Sequence, residues 1–319
     1  MVGLAVAVPV ALLLAPTHEA GAQVSPKVAP PSFAPKAPAA AVADLAPPPG
    51  TLAGEYAFRN AVTNEYLSVY GGTLRATKAV GANERFRMSE IAGDTLKPKR
   101  IQIATGGFVT AAGATPPAIA FSRSMADDTL FTFVGGQDTY AGTYAPFSKK
   151  ASTYAIAQPG MIGKPADAVV LSNFGDYARR YYWVIKCGEL APGRYYSIRV
   201  PGTKTVIRKS SLFVRQPDGS YAIDATTGDK HFFSARDGGG LSPLHDPIEW
   251  RETVRAGETW KLVDQGDCTY ALQTSKGWHL GVKADEPGNW TKITTRISEP
   301  NAAASIGYLA KFELIAHNL

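Results

Sequence analysis

At 319 residues the chain is long enough for two domains of ordinary size, each with its own core, and its 45% apolar and 19% charged content excludes a disordered protein. Its 31 glycines, 23 prolines, 14 tyrosines and 13 phenylalanines disfavour long helices and favour short strands joined by many turns. The formal charge of +6 is carried by lysines and arginines scattered without a dense basic run, which describes a solvated surface and argues against a nucleic-acid partner.

Residues 1–22 are read as a signal peptide. The stretch 4–15 is apolar, broken only by Pro9, and too short to span a bilayer core of roughly 30 Å. Ala20-Gly21-Ala22 then supplies a small-residue cleavage pattern, although no Lys or Arg precedes the apolar core. No cysteine stands at the cleavage site, which argues against a lipid-anchored lipoprotein. The expected location is secreted, periplasmic or cell-surface, with no transmembrane segment beyond the leader. Residues 23–50 carry Pro26, Pro30, Pro31, Pro35, Pro38 and Pro47-Pro48-Pro49 among alanines and valines. Proline fixes φ and lacks a donor, so this Pro/Ala-rich linker is expected to be a disordered, extended spacer.

From residue 51 onward one pattern recurs: an apolar strand, an aromatic-aliphatic strand, a short third strand after a Gly-rich turn, and an aromatic-x-aliphatic ending. The first copy has its strands at 56–59, 65–69, 73–77 and 85–88, the second at 101–103, 108–111, 119–122 and 131–133, and the third at Tyr144, 153–156, 169–172 and 183–185. A short, degenerate fourth copy shows only 195–198 and 212–214; the fifth has 221–223, 232–235, 248–251 and 260–262, and the sixth 270–272, 278–282, 293–295 and 312–314. Residues i and i+2 of a strand share a face, so Phe86/Met88, Phe131/Phe133, Trp183/Ile185, Trp260/Leu262 and Phe312/Leu314 are each expected to point an apolar pair into a core. One such unit cannot bury that face alone. Three units about a pseudo-threefold axis can, by closing into a barrel with hairpin caps, although a six-bladed propeller has a repeat of similar length. The Cys-Gly-Glu-Leu-Ala-Pro-Gly run from Cys187 reads as a boundary, predicting domains at 51–188 and 189–319.

These units resemble those of the fascin-like β-trefoil family, most closely at residues 64–72 with 84–88 and at 229–240 with 258–263. The resemblance implies an all-β chain of two tandem β-trefoil domains, with a binding role. For exported bacterial relatives that role is glycan-directed or cell-surface; for cytosolic animal relatives it is filament cross-linking. The Gln-x-Trp repeats of ricin-type trefoils are absent.

No Gly-x-Ser-x-Gly elbow, His-Glu-x-x-His, phosphate loop or paired-cysteine zinc spacing occurs, so neither enzymatic activity nor a cofactor or metal is expected. His231 and His279 abut strands and read as partly packed, while His245-Asp246, in a Pro-bounded loop, is a candidate ligand contact that a simple turn explains equally well. Cys187 and Cys268, each following a repeat-closing strand, are expected to form a disulfide in an oxidising compartment, two separate thiols being the alternative. The remaining candidates are aromatics outside the core pattern: Trp278, before a strand, and Trp290, after the polar loop Asp285-Glu286-Pro287-Gly288-Asn289. A flat ring beside carboxylates and amides suits a sugar, the ring covering C–H groups and the polar atoms taking hydroxyls. Capping of a barrel mouth explains the same tryptophans. Asn289-Trp290-Thr291 is also a glycosylation sequon. The function expected is a non-catalytic module binding polysaccharide or surface glycan, with a protein-binding or filament cross-linking module as the alternative.

Overall fold

The computed structural model describes residues 51–90, 98–103, 106–112, 118–122, 129–157, 169–172, 177–191, 194–224, 232–235, 248–251, 258–286, 289–298, 309–317 and 319. These all belong to one compact unit. Residues 1–50, expected to hold a leader and a spacer, and His245 with Asp246 lie outside the described residues. Among the described residues there is no α-helix, and hence no helix long and apolar enough to cross a membrane.

Every repeat strand read from the sequence is a strand. The first unit holds β1 (Thr51–Asn60), β2 (Tyr66–Tyr70), β3 (Thr73–Thr77) and β4 (Phe86–Glu90), and the second β5 (Lys99–Ile103), β6 (Phe108–Ala112), β7 (Ala118–Ser122) and β8 (Leu130–Gly135). The third holds β9 (Tyr144–Ser148), β10 (Thr153–Ala157), β11 (Val169–Ser172) and β12 (Tyr182–Cys187). Next come β13 (Tyr195–Arg199) and the long β14 (Val206–Arg215), then β15 (Tyr221–Asp224), β16 (Phe232–Ala235), β17 (Ile248–Arg251) and β18 (Thr259–Asp264). The last unit is β19 (Tyr270–Thr274), β20 (His279–Glu286), β21 (Asn289–Ser298) and β22 (Glu313–Ala316).

Antiparallel pairing closes β1–β4–β5–β8–β9–β12 back onto β1. The other strands of this half form the hairpins β2–β3, β6–β7 and β10–β11, and β3, β7 and β11 touch one another pairwise. A six-stranded ring under three mutually packed hairpins is a β-trefoil; propeller blades do not share a ring. A second ring runs β13–β14–β15–β18–β19–β22 and back to β13, with β16–β17 and β20–β21 as its hairpins. Its first unit has no separate hairpin. There β13 turns through the Val200–Thr205 hydrogen bonds directly into β14, whose register breaks near Ser210, held at a φ of 38°. This explains why the fourth copy looked degenerate.

Alternation predicts the core faces correctly for Phe86/Met88, Phe131/Phe133, Trp260 and Phe312/Leu314, all buried in the main cluster. It fails at β12. There Tyr182 and Val184 enter the main core, whereas Trp183 and Ile185 point the other way into a second cluster with Ala57, Cys187, Cys268 and Ile315. The cause is that β12 and β22 are buried on both faces: the two rings pack outer face to outer face, with Ile185 paired to Ile315. Burial of an unpaired charge there is costly, and two of the buried charges are paired with each other. Arg59 of β1 meets Glu313 of β22 at 2.6 Å, both essentially unexposed, and the Tyr66 hydroxyl donates to the same carboxylate at 3.3 Å. Arg199 of β13 lays its guanidinium 3.6 Å from the centre of the Trp183 ring. Burial pushes this arginine down to about 9, and the neighbouring Arg59 charge adds to that, while Glu313 opposes it. The Cys187–Cys268 disulfide, with Cα atoms 4.4 Å apart, ties the end of β12 to the turn before β19 beside these contacts.

Candidate functional site

One groove of the second ring lies where two turns flank adjacent barrel strands. The Pro-Asp-Gly turn after β14 closes through Gly219 N–H to the Gln216 carbonyl at 3.0 Å, and Gly219 supplies the φ of 82° it needs. The turn between β19 and β20 closes likewise, Gly277 N–H to the Thr274 carbonyl at 2.9 Å. Between them, Trp260 points inward from β18 and is fully buried, so its neighbours Thr259 and Lys261 face outward. Lys261 pairs in register with Gln273 of β19.

Asp218, Gly219, Ser220, Thr259, Lys261, Gln273, Thr274, Ser275 and Gly277 thus line an open groove of about 350 Å³. The turns fix its polar groups. Asp218 Oδ1 accepts the Ser220 hydroxyl at 2.6 Å and the Ser220 amide at 3.0 Å, which holds the carboxyl below its ordinary range. Gln273 donates through Nε2 to the Gly277 carbonyl at 3.0 Å, which leaves its amide oxygen an acceptor without a partner among the described residues. The second Asp218 oxygen and the Lys261 ammonium are also uncommitted among the described residues. Two acceptors and one cationic donor around a concave polar surface suit a ligand whose own groups both donate and accept, as hydroxyls do.

Trp278 adjoins this groove without lining it. Its amide donates to Thr274 Oγ1 at 3.2 Å, its carbonyl accepts the Thr274 amide at 2.8 Å, and its half-buried ring packs against the main core. The residue braces the turn. Trp290 is near the other end of the same hairpin, since His279 pairs with Ser298 at one end of β20–β21 and Glu286 with Asn289 at the other. Seven residues of strand separate the two ends, about 23 Å at ordinary rise. The two residues therefore stand at opposite ends of the hairpin backbone. Asp285 and Asn289 belong to β20 and β21 and not to a loop; their side chains and that of Trp290 lie outside the described residues. His279 is partly packed, as read: burial lowers its pKa, and its Nε2 has no partner among the described residues.

Sequence reasoning missed the groove because its residues are ordinary turn and strand-exterior types. Nothing in the sequence shows that ring closure brings the Pro-Asp-Gly and Lys-Gly turns together.

Comparison with known proteins gives the fold's company. Neither a protein-family model nor a curated relative matches this chain. Among solved structures it is similar to a mosquitocidal holotoxin, at 12% identity and a TM-score of 0.37, over 82% of this chain and 34% of the toxin. The chain thus spans about a third of that protein's length. It is also similar to SeviL bound to asialo-GM1 saccharide, at 12% identity and a TM-score of 0.35, over 42% of this chain and 98% of SeviL. A lectin of Polyporus squamosus, in complex with a sialylated influenza-binding epitope, gives 19% identity and a TM-score of 0.34 over 42% of this chain and 49% of its own.

Proposed function

We propose that this protein is an exported, non-catalytic carbohydrate-binding protein of the fascin-like type, from a bacterium, directed to a polysaccharide or surface glycan. The observation that carries the reading is the polar groove of the second ring, with Asp218 and Gln273 held by their turns and the exposed Lys261 beside them around a space of sugar size. A pyranose hydroxyl pair donates to Asp218 and Gln273 and accepts from Lys261, and the ligand class is a neutral saccharide with vicinal hydroxyls. The disulfide favours an oxidising compartment and so supports export. Trp278 contributes by bracing the groove; Trp290, Asp285, Asn289, His245 and Asp246 remain candidate contacts for a longer chain. A second reading, a protein cross-linker, is favoured by the buried Arg59–Glu313 pair, which fixes two trefoils as one body presenting two contact surfaces.

The test is sedimentation of the protein with insoluble polysaccharides, bacterial cell walls and filamentous actin, alongside Asp218→Asn and Gln273→Ala variants. Loss of one fixed hydrogen bond to a sugar is expected to weaken saccharide binding by about tenfold in each variant. Saccharide binding that both variants leave unchanged refutes the groove as the site, and binding to actin alone transfers the function to the second reading.

A further inference from the structure

The turn that carries Asp218 has a twin one repeat later, Gln216-Pro217-Asp218-Gly219-Ser220-Tyr221 being matched by Gln265-Gly266-Asp267-Cys268-Thr269-Tyr270. In each, the glutamine backbone amide donates to the carbonyl four residues on, Gln216 to Ser220 at 2.8 Å and Gln265 to Thr269 at 3.0 Å, and the glutamine Nε2 donates back to the strand before, to the Val214 and Val263 carbonyls. In each, the aspartate Oδ1 accepts both the amide and the hydroxyl two residues on. Cys268, at a φ of 60°, stands where Gly219 stands at 82°. The strands beside the turns match as well. Tyr221 pairs with Trp260 and Tyr270 with Phe312, so Glu313 takes the place of Lys261, and the cross-strand pair Lys261–Gln273 of the groove corresponds to Glu313–Arg199. What differs is the occupant. The groove is open, whereas its twin is filled by the first ring: Arg59 meets Glu313 at 2.6 Å, Asn64 Nδ2 donates to the Gly202 carbonyl at 3.3 Å, Trp183 lies under the Arg199 guanidinium, and Cys187 is bonded to Cys268. Asp267 Oδ2, whose counterpart on Asp218 is uncommitted among the described residues, is held by Lys311 at 3.5 Å. Ahead of β13 the third repeat reads Ala191-Pro192-Gly193-Arg194-Tyr195-Tyr196, with no aspartate, and Leu212 takes the place of Lys261.

We propose that the groove and the contact between the rings are two repeats of one recognition surface, that the first ring occupies one of them, and that the second ring therefore takes a single saccharide, selected by the Lys261–Gln273 pair. The saccharide reading of the groove is the premise. The turn is scaffold: its aspartate and hydroxyl bonds recur whatever lies opposite, so it positions an acceptor without discriminating. Discrimination falls to the cross-strand pair, which is the part that changes between the repeats. Glu313–Arg199 offers a carboxylate to the Arg59 guanidinium and a cation to the Trp183 ring. Lys261–Gln273 offers an ammonium and a neutral acceptor, which suits hydroxyls that accept and donate, and repels a guanidinium.

The experiment is titration calorimetry of the full chain with a soluble hexasaccharide cut from the polysaccharide that sediments it. Variants are Asp218→Asn, Asp267→Asn and the exchange Lys261→Glu/Gln273→Arg, each checked for an unchanged thermal midpoint; Lys311→Gln, on an exposed side chain, probes the twin a second time if Asp267→Asn unfolds. Asp218→Asn is expected to weaken binding about tenfold and the exchange about a hundredfold, since the latter alters two of the three groups that meet the sugar. Asp267→Asn and Lys311→Gln are expected to leave affinity and stoichiometry where they were. Weakening by Asp267→Asn equal to that by Asp218→Asn, a second hexasaccharide per chain that Asp267→Asn removes, or an exchanged pair that binds as tightly as the parent overturns this inference and leaves a saccharide-binding protein. If no polysaccharide sediments the chain, or Asp218→Asn changes nothing, the groove reading fails and this inference with it.

Discussion

Replacing Lys186 by methionine should make the protein more stable at neutral pH and should flatten its stability profile in mild alkali. Lys186 is fully buried on β12, with Nζ 5.3 Å from the Tyr56 ring centre, and it donates to the Cys187 carbonyl. Among the described residues no carboxylate is within ion-pair distance. Burial therefore pushes the ammonium from 10.5 down to about 8, with Glu55, Asp264 and Glu189 opposing only from afar. Between those two values the unfolded chain holds a proton that the folded chain has released, so stability rises with pH, at up to about 1.4 kcal/mol per pH unit. Below about 8 both states are protonated and the full penalty, about 3 kcal/mol, is present. Methionine keeps most of the stem's volume and removes the charge, at the loss of one hydrogen bond of about 1 kcal/mol, so a net gain of about 2 kcal/mol is expected at pH 7. Urea unfolding followed by tryptophan fluorescence at pH 7, 8, 9 and 9.5 measures this. The parent should gain stability across the series and the variant should not. Above pH 10 both should lose it, because burial raises Tyr196 and Tyr270 and the folded state holds their protons more tightly than the unfolded chain does. Equal slopes in parent and variant below pH 9.5, or a variant less stable at pH 7, refute the reasoning.

Two further outcomes test how the rings are joined. Glu313→Gln leaves the Arg59 and Arg199 guanidiniums buried beside a neutral amide, and should cost about 3–5 kcal/mol in chemical denaturation; a loss below about 1 kcal/mol shows the pair is not structural. The double variant Cys187→Ser/Cys268→Ser opens a closure of 81 residues and should cost about 4–5 kcal/mol by loop entropy. The midpoint of urea unfolding measures it, and an unchanged midpoint counts against a constrained unfolded state as the source.

Strand positions were legible because each four-strand unit repeats a period-two apolar pattern, and even the weak unit at β13 and β14 was visible as weak. Facing was legible only where one side of a strand meets a core. On β12 the apolar pair Trp183/Ile185 is the outer one, and Tyr182/Val184, less conspicuous in sequence, is the inner. A strand covered on both sides carries no alternation to read. Nothing in the sequence marks Arg59, Arg199 and Glu313 as buried: Arg59 of the first ring meets Glu313 of the second, 254 residues away, and Arg199 of the second lies over Trp183 of the first. The disulfide was readable from two cysteines with one possible pairing. The groove was not, because it is assembled from turns whose proximity only ring closure creates.

Ring closure also dictates an order of assembly. Each trefoil pairs its first strand with its last, β1 with β12 and β13 with β22. A chain synthesised from its N-terminus therefore holds β1 without its closing partner until the third unit exists, and β22, which completes both its own ring and the seam against β12, arrives after every other strand. Non-local closure of this kind makes folding slow. Until it happens, the outer faces of β1 and β12 are bare and their edges unpaired, so an incomplete chain is the species at greatest risk of sticking to its own copies.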